Sequence, residues 1–179
     1  MQTFRADQLP VFDEPTVVTV GSFDGVHRGH RALLDRLTEV AHQEGLRSVV
    51  VTFDPHPRIA LGRAEGLTLL TTQAEKEQLL AAAGVDYLVV QPFDKTTARE
   101  TGASFAARFL QGVLRARVIV AGYNHRFGCD RIDPMQLTIE GLRVVQVPPV
   151  VHNGVKVSST LIRNLLAEGK TDQARELMG

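Results

Sequence analysis

Residues 17–30 of the chain read VVTVGSFDGVHRGH, and this stretch decides the fold. It begins as a β-branched apolar strand, turns at Gly21 and continues into a segment with helical periodicity. Such a turn brings free backbone N–H groups and the positive end of a helix dipole to one point, where phosphate binds. His27 and His30 are three residues apart, so we expect both on one face of the first helical turn, able to donate to the same phosphate oxygens. The stretch therefore predicts a nucleotide site.

Strand-like and helix-like segments alternate along the rest of the chain. Apolar runs predict strands over residues 16–20, 48–53, 87–90, 118–121 and 142–147. Helical periodicity predicts five helices. The first ends at Gly45, and the second runs from a Thr72–Glu75 capping box to Gly84. The third covers residues 105–114, the fourth runs from a Ser159 or Thr160 cap to near Gly169, and the fifth covers residues 171–178. Strands joined by helices in this way predict an α/β, Rossmann-like fold, a parallel sheet with helices on both faces.

Turns that follow parallel strands gather at the carboxyl edge of the sheet, where ligands of such folds bind. The polar turns 21–30, 54–58 and 122–128 each follow a predicted strand, so we expect them to meet there. The chain has neither a Walker loop nor a Gly-x-Gly-x-x-Gly turn. These absences argue against a P-loop kinase and against dinucleotide-dependent redox chemistry.

A second phosphate-directed helix start is one interpretation of residues 157–163, which read VSSTLIR. The other is an ordinary Ser/Thr N-cap with a surface arginine, which is a common pattern. If the start of this helix and the start of the helix after Gly21 face one crevice, together they could hold a triphosphate from both ends.

Two more segments offer candidate contacts to an acceptor. Residues 53–58 read FDPHPR, and the two prolines stiffen a loop that presents His56 and Arg58. Residues 122–128 read GYNHRFG; there Phe127 suits the core, and Asn124 and Arg126 are the candidates for ligand contact.

Composition restricts the class of protein. The 179 residues suit a single domain, and 20 Lys and Arg balance 20 Asp and Glu, so no net charge favours nucleic acid or a membrane. Anion binding must then be local, which suits a small phosphorylated substrate. One cysteine permits no internal disulfide and no zinc set. The N-terminus lacks a signal-peptide pattern and no apolar run approaches about 18 residues, so we expect a cytoplasmic protein.

Taken together, the four segments 21–30, 52–57, 122–128 and 157–163 resemble the adenylyltransferase module of the bacterial bifunctional riboflavin kinase/FMN adenylyltransferases, the prokaryotic FAD synthetases. Their order matches that family, and the similarity extends from about residue 15 to the end. The His-x-Gly-His element alone marks only the wider nucleotidyltransferase superfamily. The longer Phe-Asp-Gly-Val-His-x-Gly-His form together with Ser-Ser-Thr-x-x-Arg is much more specific.

The resemblance implies that ATP and FMN react to give FAD and pyrophosphate, with Mg²⁺. His27 and His30 would contact the ATP phosphates, Ser159, Thr160 and Arg163 would hold the β- and γ-phosphates, and Asn124 would lie near the flavin phosphate and the metal. The implied catalytic residues are His27, His30, Asn124 and Arg163. The implied ATP-binding residues are Gly21, Ser22, Phe23, Asp24, Gly25, His27, His30, Ser158, Ser159, Thr160 and Arg163. The implied flavin-binding residues are Pro55, His56, Pro57, Arg58, Asn124 and Arg126.

We accordingly expect one adenylyltransferase domain over residues 1–179, no riboflavin kinase domain, and small-molecule partners rather than nucleic acid or membrane. Besides the missing kinase domain, residues 129–137 depart from the family pattern by forming a shorter connection, and His125 stands where an aromatic residue is frequent. Two alternatives therefore stay open. One is a nucleotidyltransferase of the same fold with another phosphorylated acceptor, and the other is a non-catalytic flavin- or nucleotide-binding module. The sequence leaves the oligomeric state undetermined.

Overall fold

Six parallel strands form the central sheet of the protein, for which a computed structural model describes residues 1–179. In chain order they are β1 (Gln2–Arg5), β2 (Thr16–Val20), β3 (Arg47–Asp54), β4 (Tyr87–Pro92), β5 (Ala116–Gly122) and β6 (Arg143–Val147). Their spatial order is β1-β4-β3-β2-β5-β6. The chain therefore winds outward from β2 in one direction through β4 and then reverses to add β5 and β6. The predicted α/β fold class is confirmed.

Helices cover both faces of the sheet. The helices are α1 (Arg28–Glu44), α2 (Pro57–Ala60), α3 (Gln73–Ala82), α4 (Gly102–Phe105), α5 (Ser159–Ala167) and α6 (Thr171–Met178). One core joins α1 and α3 to alternate side chains of the strands, including Val17 and Val50. A second core on the other face joins Val18 and Val49 to the segment around Phe105. Because successive strand side chains point to opposite faces, strands this apolar must be covered on both sides.

Helix boundaries show where local signals held. Helix α1 ends at Glu44 with Gly45 in the left-handed conformation, and α3 carries the complete Thr72–Glu75 capping box, as predicted. The cap of α5 is Ser158, whose Oγ accepts the N–H of Leu161, so the prediction of Ser159 or Thr160 was wrong.

Three other elements differ from the sequence-based expectation. The helix predicted over residues 105–114 begins three residues earlier as α4 and continues as a π-helical segment, Ala106–Gln111. Strand β1, which pairs with β4, was not predicted, and neither was the small hairpin of β7 (Val151–His152) and β8 (Val155–Lys156).

No helix combines the length and apolar character needed to cross a bilayer.

The sheet order places a topological switch point between β2 and β5, because the strand after β2 is added on one side of this pair and the strand after β5 on the other. Ligands of open α/β sheets bind beyond the carboxyl ends of the strands at such a point. The loops that leave β2 and β5 begin at Gly21 and Gly122. The fold therefore directs attention to the crevice that these two loops border.

Candidate active site

A cavity of about 780 Å³ opens at the switch point. It is lined by the loop after β2, the loop after β3, the loop after β5 and the start of α5. All four segments singled out in the sequence therefore border one space. Residues at the N-termini of α1 and α5 both line it, so both helix dipoles have their positive ends at the same cavity.

His27 and His30 form a stacked pair at the start of α1. Their ring centroids lie 3.8 Å apart with 12° between the planes. His27 is the N-cap of α1: its Nδ1 accepts the backbone N–H of His30 at 3.3 Å. A neutral His27 that accepts at Nδ1 must carry its proton on Nε2, which is then available as a donor. A Cβ at residue 29 would lie only 3.2 Å from the His27 ring, so glycine there allows the ring to fold back over the helix start.

Both imidazoles are neutral at pH 7. Burial lowers the pKa of His27 to about 4, and burial, followed by the neighbouring His27 and Lys76, lowers the pKa of His30 to about 3. The His30 Nδ1 is buried and has no hydrogen-bond partner. The pair therefore offers preorganised hydrogen-bond donors rather than positive charges.

Asp24 connects the glycine-rich loop to α5. Its carboxylate is buried and pairs with the guanidinium of Arg163, while its Oδ1 accepts the N–H of Leu70 at 2.8 Å. The Ser159 hydroxyl donates to the backbone carbonyl of Asp24 at 3.0 Å, and Arg163 Nε donates to the Thr68 carbonyl at 2.8 Å. The two helix N-termini are thus held in a fixed relation, and the N–H groups of Ser159 and Thr160, before the capped N–H of Leu161, have no intrahelical acceptor.

The loop after β5 forms another part of the cavity wall. Asn124 lines the cavity, and Arg126 lines it while pairing with Asp133 at 3.2 Å. His125 packs edge-on against Phe127 with ring centroids 4.6 Å apart. Burial lowers the pKa of His125 to about 4, so this wall is uncharged at His125. Phe127 is buried, in agreement with the core role expected for it.

The loop after β3 presents His56 and Arg58 to the cavity, as expected from the two prolines that stiffen it. His56 caps the short helix α2 by accepting the N–H of Arg58 at 3.2 Å, and Arg58 Nε donates to the Arg63 carbonyl. Burial lowers the pKa of His56. Phe53 and Phe93 meet edge to face at 5.2 Å beside this loop, and both line the cavity.

Comparison with known proteins decides the family. The family model described as FAD synthetase matches residues 9–161. The chain belongs to the FAD synthetase family. Among curated relatives, the bifunctional riboflavin kinase/FMN adenylyltransferase of Escherichia coli K12 is 34% identical over 93% of this chain and 55% of its own length. A putative bifunctional riboflavin kinase/FMN adenylyltransferase of Geobacillus thermodenitrificans is 36% identical over 92% of this chain and 89% of its own length.

A solved structure shares the architecture. The crystal structure described as a macrolide-efflux protein from Streptococcus pneumoniae superimposes with a TM-score of 0.89 at 31% identity, covering 99% of this chain and 60% of that one. This FAD synthetase-family chain therefore spans 55% of the length of the Escherichia coli relative and 60% of the solved neighbour.

The structure gathers most of the residues that the resemblance marked in this FAD synthetase-family chain. Of those residues, only Gly25 and Pro55 do not line the cavity. Gly25 has φ +89° and a Cβ there would lie 2.8 Å from Leu70 Cδ1, so its part is to let the loop turn against the 68–71 segment. Sequence reasoning missed the segments after β4 and β6, which contribute Phe93, Thr97, Ala98, Glu100, Pro148, Pro149 and Val150. The rule that turns after parallel strands share one edge could have found them.

Proposed function

We propose that this chain transfers AMP from ATP to FMN, giving FAD and pyrophosphate. The observation that carries the proposal is that the His27–His30 pair and the N-termini of α1 and α5 line a single cavity. One helix start with donors binds an anion, but two that converge suit a polyanion. The membership of the FAD synthetase family supports FMN as the acceptor.

The reaction requires no covalent enzyme intermediate. An oxygen of the FMN phosphate attacks the α-phosphorus of ATP, the bond from that phosphorus to the bridging β-phosphate oxygen breaks, and pyrophosphate carries the electron pair away. The attacking phosphate is already an oxyanion, so no base has to remove a proton. Catalysis then consists of in-line alignment and stabilisation of charge on the phosphoryl oxygens.

The site residues divide between the two substrates. We assign the His27 Nε2 donor and the His30 ring to the α-phosphate, where charge develops in the transition state. Ser158, Ser159, Thr160 and Arg163 at the start of α5 are assigned to the departing β- and γ-phosphates. The remaining donors of Arg163 suit this role because its Nε and one amino group already hold the guanidinium in place.

The acceptor side suits a flavin. Phe53 and Phe93 provide aromatic surface for a planar ring system, and Pro57 closes the same wall. Asn124 and Arg126 also line the cavity, and we assign them as polar contacts for the flavin phosphate. His56 and Arg58, which line the same cavity, complete the assignment.

Mg²⁺ fits the donors that the site offers. The chain contains no group of three His, Cys, Asp or Glu side chains placed to hold a metal ion by themselves. Mg²⁺ is commonly held by substrate phosphates with one or two protein oxygens, and Asn124 offers a carboxamide oxygen at the cavity wall. When bound, the ion would neutralise charge on the phosphates.

The test is FAD formation from ATP and FMN in the presence of Mg²⁺, followed by chromatography, with pyrophosphate measured in parallel. We expect His30→Ala to lower turnover by about 10²–10³-fold, the loss typical of one transition-state donor, with FMN affinity little changed. His42→Ala, an exposed histidine in the last turn of the same helix, is the matched control and should turn over normally.

Absence of FAD at high concentrations of the wild-type chain would rule the proposal out. A thermal-shift panel then separates the alternatives: stabilisation by another phosphorylated compound but not by FMN indicates a different acceptor. Stabilisation by FMN and ATP without turnover indicates a binding module.

A further inference from the structure

A lysine lies buried on the inner side of the site. Lys76 belongs to α3 and is 8% exposed, and its Nζ approaches Thr52 Oγ1 at 3.5 Å. Thr52, fully buried near the end of β3, donates to the Ser22 carbonyl of the glycine-rich loop at 3.2 Å. A continuous path of polar contacts therefore runs from the α3 ammonium to the loop that follows β2.

Lys76 is not committed to an ion pair. No carboxylate lies within 4.0 Å of its Nζ, although Asp24 and Asp54 are near enough, with Glu77, to favour its charged form against the burial that lowers its pKa. Asp24 is already paired with Arg163. Ammonium groups that are buried without a direct partner are costly, and proteins rarely keep them without a functional reason.

The other charges around the cavity show what the Lys76 ammonium could contribute to the site. The Asp24–Arg163 pair sums to zero, and the low pKa values of His27 and His30 make both rings neutral. Lys76 is therefore the buried positive charge at this edge that no ion pair cancels. A charge in a low-dielectric interior acts over a longer distance than one in water.

We propose that Lys76 is a positioning residue of this site: through Thr52 it holds the glycine-rich loop, and its buried charge strengthens binding of the ATP triphosphate. The inference rests on the proposed function. Lys76 does not line the cavity, so it acts on the substrate through the loop and through its electric field. The path of polar contacts ends at the Ser22 carbonyl on the ATP side of the site, and on the FMN side the Lys76 charge acts only at a distance, on His56.

The test compares Lys76→Met, which keeps an unbranched side chain one atom shorter and removes the charge, with Lys76→Arg, which keeps the charge. Lys95→Met, an exposed lysine without an ion pair, is the matched control. ATP binding is measured by titration calorimetry without FMN, and KM values and unfolding temperatures are measured alongside. For Lys76→Met we expect ATP affinity to fall about tenfold, less than the loss of a direct donor, with KM for FMN within about twofold.

Stability separates this role from a structural one. Replacing a buried charge by an apolar side chain is often neutral or stabilising, so Lys76→Met should unfold no lower than the wild type, and Lys76→Arg should bind ATP better than Lys76→Met. The inference is overturned if Lys76→Met binds ATP normally. It is equally overturned if both variants lose affinity alike and unfold earlier. If the wild-type chain binds ATP but makes no FAD, the proposed function fails, and the comparison of ATP affinities still decides the role of Lys76.

Discussion

The buried ion pair between Asp24 and Arg163 connects the glycine-rich loop before α1 to the first turns of α5. The Asp24 side chain is 4% exposed and that of Arg163 15%. Asp24 also accepts backbone N–H groups from Leu70 at 2.8 Å and Thr71 at 3.2 Å. Asp24→Asn keeps an oxygen for these two N–H donors, but it removes the charge and turns an amide N–H₂ toward Arg163, so it breaks the ion pair while the backbone contacts remain.

The expected cost follows from the burial of the pair. Breaking a buried ion pair by removing one partner costs about 3–5 kcal/mol, since the other charge is left uncompensated. Arg163 retains its Thr68 contact and some exposure, which places Asp24→Asn near the lower value, about 3 kcal/mol. For a chain of this size, 1 kcal/mol lowers the unfolding temperature by roughly 2–4 °C, so a fall of about 6–12 °C is expected.

The assay is urea and thermal unfolding of the wild type, Asp24→Asn and Asp172→Asn. Asp172 pairs with Arg175 at 3.2 Å, but both side chains are strongly exposed, so its loss should cost less than about 0.5 kcal/mol. If Asp24→Asn unfolds within about 2 °C of the wild type, or no earlier than Asp172→Asn, the buried pair does not hold the helix starts together and the reasoning is refuted.

Two further predictions concern stability. Gly128→Ala should lower the free energy of unfolding far more than Gly62→Ala. Both glycines have φ near +66°, but a Cβ at Gly128 would lie 2.1 Å from Gly102 N, whereas Gly62 has open space. Equal losses of stability in urea unfolding would contradict this prediction. Acidification from pH 6.5 to 5 should weaken the fold, because His125, with a native pKa of about 4 against 6.5, takes up its proton more readily when unfolded. His125→Phe should flatten this dependence by about 1.4 kcal/mol per pH unit, and an unchanged slope in pH-dependent unfolding would exclude that account.

Local sequence signals sufficed for much of the fold. The apolar run 16–20 is the central strand β2, and the Thr72–Glu75 capping box and Gly45 delimit their helices as expected. The strand β1 could not be predicted in this way. It is only four residues long, its side chains are mostly exposed, and it is a strand because β4 offers an edge with which to pair.

The site was predictable in part for a related reason. Helix starts with histidines or hydroxyls are recognisable along the chain, and the structure brings both to one cavity. The pairing of Asp24 with Arg163 and the burial of Lys76 have no local signal, because the partners are 139 residues apart in the first case and on different elements in the second.

What the sequence by itself determined is the set of local structures: strands buried on both faces, helix caps, and turns whose free backbone N–H groups can bind an anion. These depend on contacts within a few residues, so spacing reveals them. Only the tertiary structure decided which imidazoles are neutral, which carboxylate cancels Arg163 and where an uncancelled ammonium lies. Those properties depend on desolvation and on charges that folding brings close together, and local sequence patterns reveal neither of them.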